Sequence, residues 1–319
     1  MIFDNILFAA CTVLMPPLMI GVIRKTKARL QNRMGARFEQ PFHDLLKLFK
    51  KHQTISKTTT WIFQLSSAMN ISVMLIAACI LPWLSFKPHF AGDDLFLLLY
   101  LFALLKYSTL LSAFDCGSPF GAMAASREAH VSLLLEPAIF VILVSLGFIA
   151  KSTSLGAIFD FSTSCTVYYL PVWLSAAVGL FLCSLAELSR MPVDDPNTHL
   201  ELTMIHEAMI LENSGKNLAL IEYAHAIRLT VLYGLCVQCL LHALTFFTHA
   251  QHLVLDPTSL TVLSVAGPFA FAVLTALIES TLVKLQWRRV PEFIAYALTM
   301  SMFASASALI GGSYASHHL

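Results

Sequence analysis

Residues 3–38 read FDNILFAACTVLMPPLMIGVIRKTKARLQNRMGARF. An apolar run with only Asp4 at its start spans the roughly 20 residues needed to cross a bilayer core and stops at Arg24, Lys25, Lys27, Arg29, Arg33 and Arg37. A secretory leader carries its basic residues before the apolar stretch. This order is the reverse, so the segment is expected to remain as a first transmembrane helix. Further apolar stretches follow at about 62–86, 94–112, 132–150, 167–186, 218–247, 258–283 and 292–312. The expectation is an all-α, polytopic membrane protein of about eight transmembrane helices, one membrane domain over 1–319, with Gly267-Pro268 as a breaker in the seventh span. The composition agrees: 57% of residues are hydrophobic, mean hydropathy is +0.72, and 12% are charged, against roughly a quarter in soluble domains.

Charge placement orients these spans. Ten of the twenty Lys and Arg lie between Arg24 and Lys57, and with Glu39 and Asp44 the loop 24–61 has a balance of +8. Positive-inside reasoning puts it in the cytoplasm. Arg127, Arg190, Lys216, Lys284, Arg288 and Arg289 then share its side, leaving Lys87 and Lys151 opposite, and both termini are expected outside. A net charge of +1 and the lack of a second basic patch argue against nucleic-acid binding. Within the loop, Phe42, Leu45, Leu46 and Phe49 alternate with His43, Lys47, Lys50 and Lys51, as in an interfacial helix that lies on the lipid bilayer and holds a partner.

Several chemistries are excluded. Cys236 and Cys239 form the only close pair of seven cysteines and sit inside an apolar span, where packing is expected. His206-Glu207 lacks the second histidine of a zinc protease helix, and no glycine-rich phosphate loop is present. No cofactor or metal site is expected in this chain. What stands out is ionisable residues within spans: Lys106, Glu136, Glu187, Glu222, His225, Arg228 and Glu279. Each charge near the bilayer centre costs on the order of 2.5–3.5 kcal/mol, so these groups should face a polar interior and be paired. Steps of three residues bring Glu222, His225 and Arg228 onto one broad helix face, as a proton relay or as a structural ion-paired cluster. A second acidic segment, the loop 187–217, holds six carboxylates, with Asp195 and His199 at pairing distance along a helix and Glu201 and Glu212 on one face. Its apolar residues suit a helix half-buried at the rim of a water-filled funnel.

The segments Ala186-Glu187, Arg190 to Asp194, Glu201-Leu202 and Glu212 to Gly215 resemble the acidic loop of the proton-translocating membrane subunit of bacterial complex I. Asp115-Cys116-Gly117-Ser118-Pro119-Phe120, Ala125-Ser126-Arg127-Glu128 and Leu135-Glu136-Pro137 resemble the branch found in formate hydrogenlyase-type, group 4 membrane-bound nickel-iron hydrogenases. Ala28 to Arg33, Gln40 to Asp44 and Ile278-Glu279-Ser280 match as well. Asn197 and His199 depart from positions that are often Glu in that family.

The resemblance implies a non-catalytic anchor and ion-coupling subunit of a bacterial or archaeal cytoplasmic membrane. It implies a nickel-iron centre and iron-sulfur clusters in hydrogenase large and small partner subunits, and antiporter-like membrane subunits alongside. Carried over by residue, Glu136, Glu187, Asp194, Glu201 and Glu212 would line the proton path, with Glu222, His225, Arg228 and Glu279 extending it. Arg29, Arg33, Asp44, Arg127 and Arg190 would dock partners. Alternatives are a quinone-site subunit of a related oxidoreductase, with an aromatic-lined opening between the first and sixth spans, and a stand-alone ion transporter.

Overall fold

A computed structural model describes residues 2–82, 92–160, 167–194, 204–250 and 257–317. The helices are α1 (Ile2–Leu30), α2 (Gln40–Lys50), α3 (Trp61–Ile80), α4 (Leu95–Asp115), α5 (Pro119–Ala150), α6 (Leu155–Ile158), α7 (Leu170–Glu187), α8 (His206–Ile210), α9 (Gly215–Ala250), α10 (Pro257–Thr281) and α11 (Val290–His317). Among the described residues, β-pairing is limited to one isolated bridge, Asp94 with Ser154. Seven helices there are long and apolar enough to cross a membrane: α3, α4, α5, α7, α9, α10 and α11. The eighth expected span is α1, whose first turns lie outside the described side chains. The chain is thus an all-α, multi-pass membrane protein.

The bundle is built around α9, which packs on α1, α2, α3, α7 and α10. Its span is 89% buried, against 28% for α10 and α11, and apolar residues fill most of its circumference, as an enclosed helix requires. Small residues allow close approach, the usual device where lipid offers no hydrophobic drive. A Cβ on Gly267 of α10 would stand 2.6 Å from Val237 of α9. This explains why Gly267-Pro268 does not break the seventh span: α10 runs unbroken through Pro268, with the glycine seating it on its neighbour. Leu133, Tyr296 and Val262 are more than 60% exposed on outer helix faces, where hydrocarbon solvates them.

The fourth span starts earlier than its apolar run. The stretch 119–131, expected as a cytoplasmic connection, is the first third of α5. A stripe of Gly121, Ala124, Ala125, Glu128 and Ser132 is buried at helical spacing there, and the charge of Glu128 is met by Lys106 of α4. The Asp115 to Phe120 motif makes the turn that permits this. Gly117 takes φ +65°, Pro119 occupies the first helical position, and the Asp115 carboxylate accepts from Thr60 N at 2.7 Å and Phe63 N at 3.3 Å, capping the neighbouring α3.

The amphipathic α2 packs on α9 and α1 with Pro41 buried and Lys47, Lys50 and Lys51 exposed. Ser214 Oγ accepts from Thr54 N and donates to Thr54 O, both at 2.8 Å, tying the basic loop to the start of α9. Asn213-Ser214-Gly215 forms the turn between α8 and α9, with Gly215 at φ +54°. Loss of an N-terminal cap costs about 1–2 kcal/mol. Asp115→Ala is therefore expected to lower the thermal midpoint of the detergent-purified protein, and Asp115→Asn, which keeps an acceptor oxygen, to lower it less.

Candidate functional site

Two cavities flank one buried ion cluster. The cluster joins four helices: Glu187 at the end of α7, Lys106 on α4, Arg228 on α9 and Glu128 on α5. Glu187 pairs with Arg228 and lies 2.5 Å from Lys106 Nζ. Lys106 also donates to Ser132 Oγ at 2.8 Å and stands 3.9 Å from Glu128. All four are at most 6% exposed, and their two positive and two negative charges cancel. An uncompensated ion at this depth would not be tolerated.

The first cavity, of 580 Å3, lies against α1, the turn after α7, α8 and α9. Ten of its sixteen lining residues carry charged or imidazole side chains: Arg24, Lys27, Arg33, Arg190, Asp194, His206, Glu207, Glu222, His225 and Glu279. Glu279 is held by Lys27 and Arg190, each at 3.2 Å. Asp194 accepts from Lys284 at 2.6 Å and from Ile205 N at 2.9 Å. The rings of His206 and His225 stack at 4.6 Å. Burial, and after it the Arg228 charge, pushes His206 down to about 4, so it is neutral at pH 7. Burial and the nearby Glu222 and Asp194 carboxylates push Glu207 up to about 7.

The second cavity, of 440 Å3, opens sideways between α4 and α5 and reaches Lys106 and Glu187 at its floor. Tyr100, Leu133, Pro137 and Phe140 line it, with Glu136. A third opening, of 270 Å3, lies between α1, α2 and α9; Pro17, Pro41, Leu45, Leu48 and Asp44 line it, and no aromatic residue is among its lining. Among the described residues, no three His, Cys, Asp or Glu side chains converge as a metal ion would need.

The expected site residues separate accordingly. Glu187, Asp194, Glu222, His225, Arg228 and Glu279 gather at the cluster and the first cavity. Glu222, His225 and Arg228 do not act as one face: the first two line the cavity, and Arg228 turns into the cluster, because the helix rotates by roughly 100° per residue. Glu136 is not interior and paired. It is exposed on the outer side of α5, and among the described residues no cation lies within 4.0 Å of it; Glu128, two turns earlier, takes the inward position. Glu212 is exposed and away from the cavity lining. Glu201, Asp195 and His199 lie outside the described residues.

Of the docking residues, Arg29 and Arg33 are exposed and Asp44 pairs with Arg24 at 3.4 Å. Arg190 is instead buried on Glu279, and Arg127 is half-buried in α5 above the Trp287 ring at 5.9 Å. Glu128, His206 and Glu207 were not among the expected site residues. Glu128 is signalled by its place on the small-residue stripe of α5, whereas His206 and Glu207 reach the cavity only through tertiary folding.

The sequence profile described as NADH dehydrogenase matches residues 4–309. This chain belongs to that family. The family member is 32% identical to hydrogenase-4 component C of Escherichia coli (strain K12) over 282 residues, 86% of either chain. It is 32% identical to formate hydrogenlyase subunit 4 of the same organism over 69% of this chain and 71% of that one. An NADH-quinone oxidoreductase subunit of Flavobacterium psychrophilum is 28% identical over 58% of this chain and 59% of its own length. The fold is shared with a chain of the membrane-bound sulfane sulfur reductase, an archaeal respiratory membrane complex, at a TM-score of 0.76 over 96% of this chain and 17% identity. These relatives are named as components or subunits of larger assemblies.

Removing one partner of a buried pair costs about 3–5 kcal/mol because the other charge stays unmatched. Glu187→Gln strands Arg228 and leaves Lys106 with only the longer 3.9 Å contact to Glu128, whereas Lys106→Met keeps the close Glu187–Arg228 pair and strands only the carboxylate of that longer contact. Glu187→Gln is therefore expected to reduce folded protein in membranes more than Lys106→Met, as read by detergent-stable yield. For Glu207, the folded chain holds a proton that the unfolded chain releases between about pH 4.5 and 7, so stability falls as pH rises through that window. Glu207→Gln should raise the thermal midpoint at pH 8 and leave it unchanged at pH 4.

Proposed function

We propose that this chain is the membrane anchor and ion-coupling subunit of a membrane-bound hydrogenase of the formate hydrogenlyase type. In this reading it carries partner subunits that hold the nickel-iron centre and iron-sulfur clusters, and it moves protons as they turn over. The observation that carries the reading is the neutral four-residue ion cluster standing between a charged cavity and a lateral one. Its relatives support the assembly: hydrogenase-4 component C and formate hydrogenlyase subunit 4 share a third of their residues with it over most of the chain. The docking face is the end of the bundle where α2, Arg29, Arg33 and the turn at Ser214 meet.

Protons enter the first cavity, where the orphaned buried nitrogens of Arg190 and His225 call for water, as does that of Arg228 in the cluster. A proton delivered there neutralises the Glu187 carboxylate and loosens its hold on Lys106. The Lys106 ammonium gives its proton to the Glu136 carboxylate across the lateral cavity and takes one back from Glu187. One proton is moved and each group returns to its starting charge. Glu136 hands it to an antiporter-like membrane subunit packed on α4 and α5. Water suits the first cavity better than a quinone does, since ten ionisable groups line it and the opening beside α2 has no aromatic wall.

Native purification of the tagged chain in mild detergent, with mass spectrometry and metal analysis, tests the assembly. Co-purifying hydrogenase-type subunits with nickel and iron are expected. Iron without nickel moves the reading to a quinone-linked complex, and a lone, metal-free chain to a transporter. In the purified complex, Glu136→Gln is expected to lower protons moved per electron at least about tenfold, the scale for loss of a positioned proton-transfer group. An unchanged ratio removes Glu136 from the path.

A further inference from the structure

Between α3, α4 and the start of α9 runs a second buried polar region that neither the cavities nor the ion cluster uses. Its side chains are uncharged. Ser67 Oγ donates to Asn217 Oδ1 at 3.1 Å. One turn further along α3, Asn70 Nδ2 donates to Thr109 Oγ1 at 3.1 Å, and its Oδ1 accepts from Ser108. Ser67, Asn70, Ser108 and Asn217 are all at most 7% exposed. Thr109 is one turn from Lys106 on α4, so the seam ends one helical turn from the cluster.

The half of the seam nearer the start of α9 is left unsatisfied. Ser112 Oγ, Asn213 Oδ1 and Asn217 Nδ2 are buried without a hydrogen-bond partner, and these residues are 3%, 6% and 7% exposed. Each such atom is costly to leave dry, because it has given up its bond to water and gained none in return. Ordered water, which makes about three bonds per molecule, is the partner that such atoms call for. The mouth lies beside Glu212, which is exposed and whose charge joins burial in pushing the Cys116 thiol up to about 11.

We propose that this seam is a hydrated, uncharged proton inlet leading from the Glu212 face to Lys106, separate from the charged cavity beside α1. The inlet rests on the ion-coupling reading above. Water and hydroxyl groups relay a proton by releasing one O–H proton as they accept another, so no group in the seam changes charge. The relayed proton reaches Lys106 after Lys106 has given its own to Glu136, in place of the proton that Glu187 would otherwise return, so each turnover still moves one proton. A seam without carboxylates cannot store the proton, which leaves storage to Glu187 and Glu128. A purely structural network of the same residues would glue three helices and stay dry.

The test uses the native complex in inside-out vesicles, with Ser67→Cys and Ser112→Cys introduced singly. A small charged methanethiosulfonate reagent is added at the exposed cytoplasmic face, and the modified cysteines are mapped by mass spectrometry. Cys236 and Cys239, buried within the bundle, are internal references. Both introduced thiols are expected to react at least about tenfold faster than the references, since reaction follows access. Rates equal to the references overturn the hydrated seam.

Asn70→Leu then plugs the seam beyond both labelled positions, while Ser108 and Thr109 keep their bonds to Leu105 O. Protons moved per electron are expected to fall at least about tenfold. If the unsubstituted complex pumps and the Asn70→Leu complex pumps equally, the inlet falls and the ion-coupling reading stands. If the unsubstituted complex moves no protons, the ion-coupling reading fails and takes the inlet with it.

Discussion

Everything in this bundle is arranged to let Glu187 remain charged inside a membrane. Its carboxylate ends α7, and the two cations it needs come from α4 and α9, with Glu128 of α5 balancing the second positive charge. Four helices are therefore fixed in rotation and depth by one group of side chains. A one-residue slip of any of them would turn its charge by roughly 100° into an apolar wall. Such clusters are poor stabilisers compared with hydrocarbon packing, yet strong specifiers, because breaking them is far worse than never building them. This cluster thus fits both needs of the fold: it sets helix register, and it keeps protonatable groups at mid-bundle.

The central helix divides these tasks along its length. From Gly215 to Arg228, α9 presents Asn217, Glu222, His225 and Arg228 to the polar seam, the cavities and the cluster. Beyond Arg228 it is nearly all apolar, and Cys236 and Cys239 are free thiols packed among hydrocarbon. In this half the Tyr233 hydroxyl is satisfied by Thr275 of α10 at 2.6 Å. In the proposed function, the polar half of α9 serves the conducting side and the nearly apolar half serves as the seal. This is why the lateral cavity between α4 and α5 matters more to the reading than any passage straight through α9.

The spans were legible because hydrophobic length alone decides them, and the described helices follow the expected order. Helix α5 shows the limit of that signal: Arg127 and Glu128 look like loop residues by hydropathy, and their partners Trp287 and Lys106 are remote in sequence. The ionisable residues within spans were legible too, since each is an expensive exception in an apolar run. Their partners were not. Nothing in spacing says that Arg190 leaves the surface for Glu279, or that Glu222 and Arg228 part company. Lys106 was visible as an anomaly and Glu187 as a motif, yet their 2.5 Å contact is a product of helix packing.

The two carboxylates of α5 carry the final step. Glu128 and Glu136 are two turns apart, which rotates them by roughly 80° relative to each other. That rotation separates opposite environments: Glu128 is buried against Lys106, and Glu136 stands on the outer face beside Tyr100 and Leu133, each 72% exposed. A carboxylate facing hydrocarbon at this depth is costly in either protonation state, because even the neutral acid has hydrogen bonds to satisfy. The remedy available within the chain, a nearby cation, has been spent on Glu187. Among the described residues Glu136 therefore stands on the outer face without a cation beside it, and on this the proposed hand-over to a neighbouring membrane subunit rests.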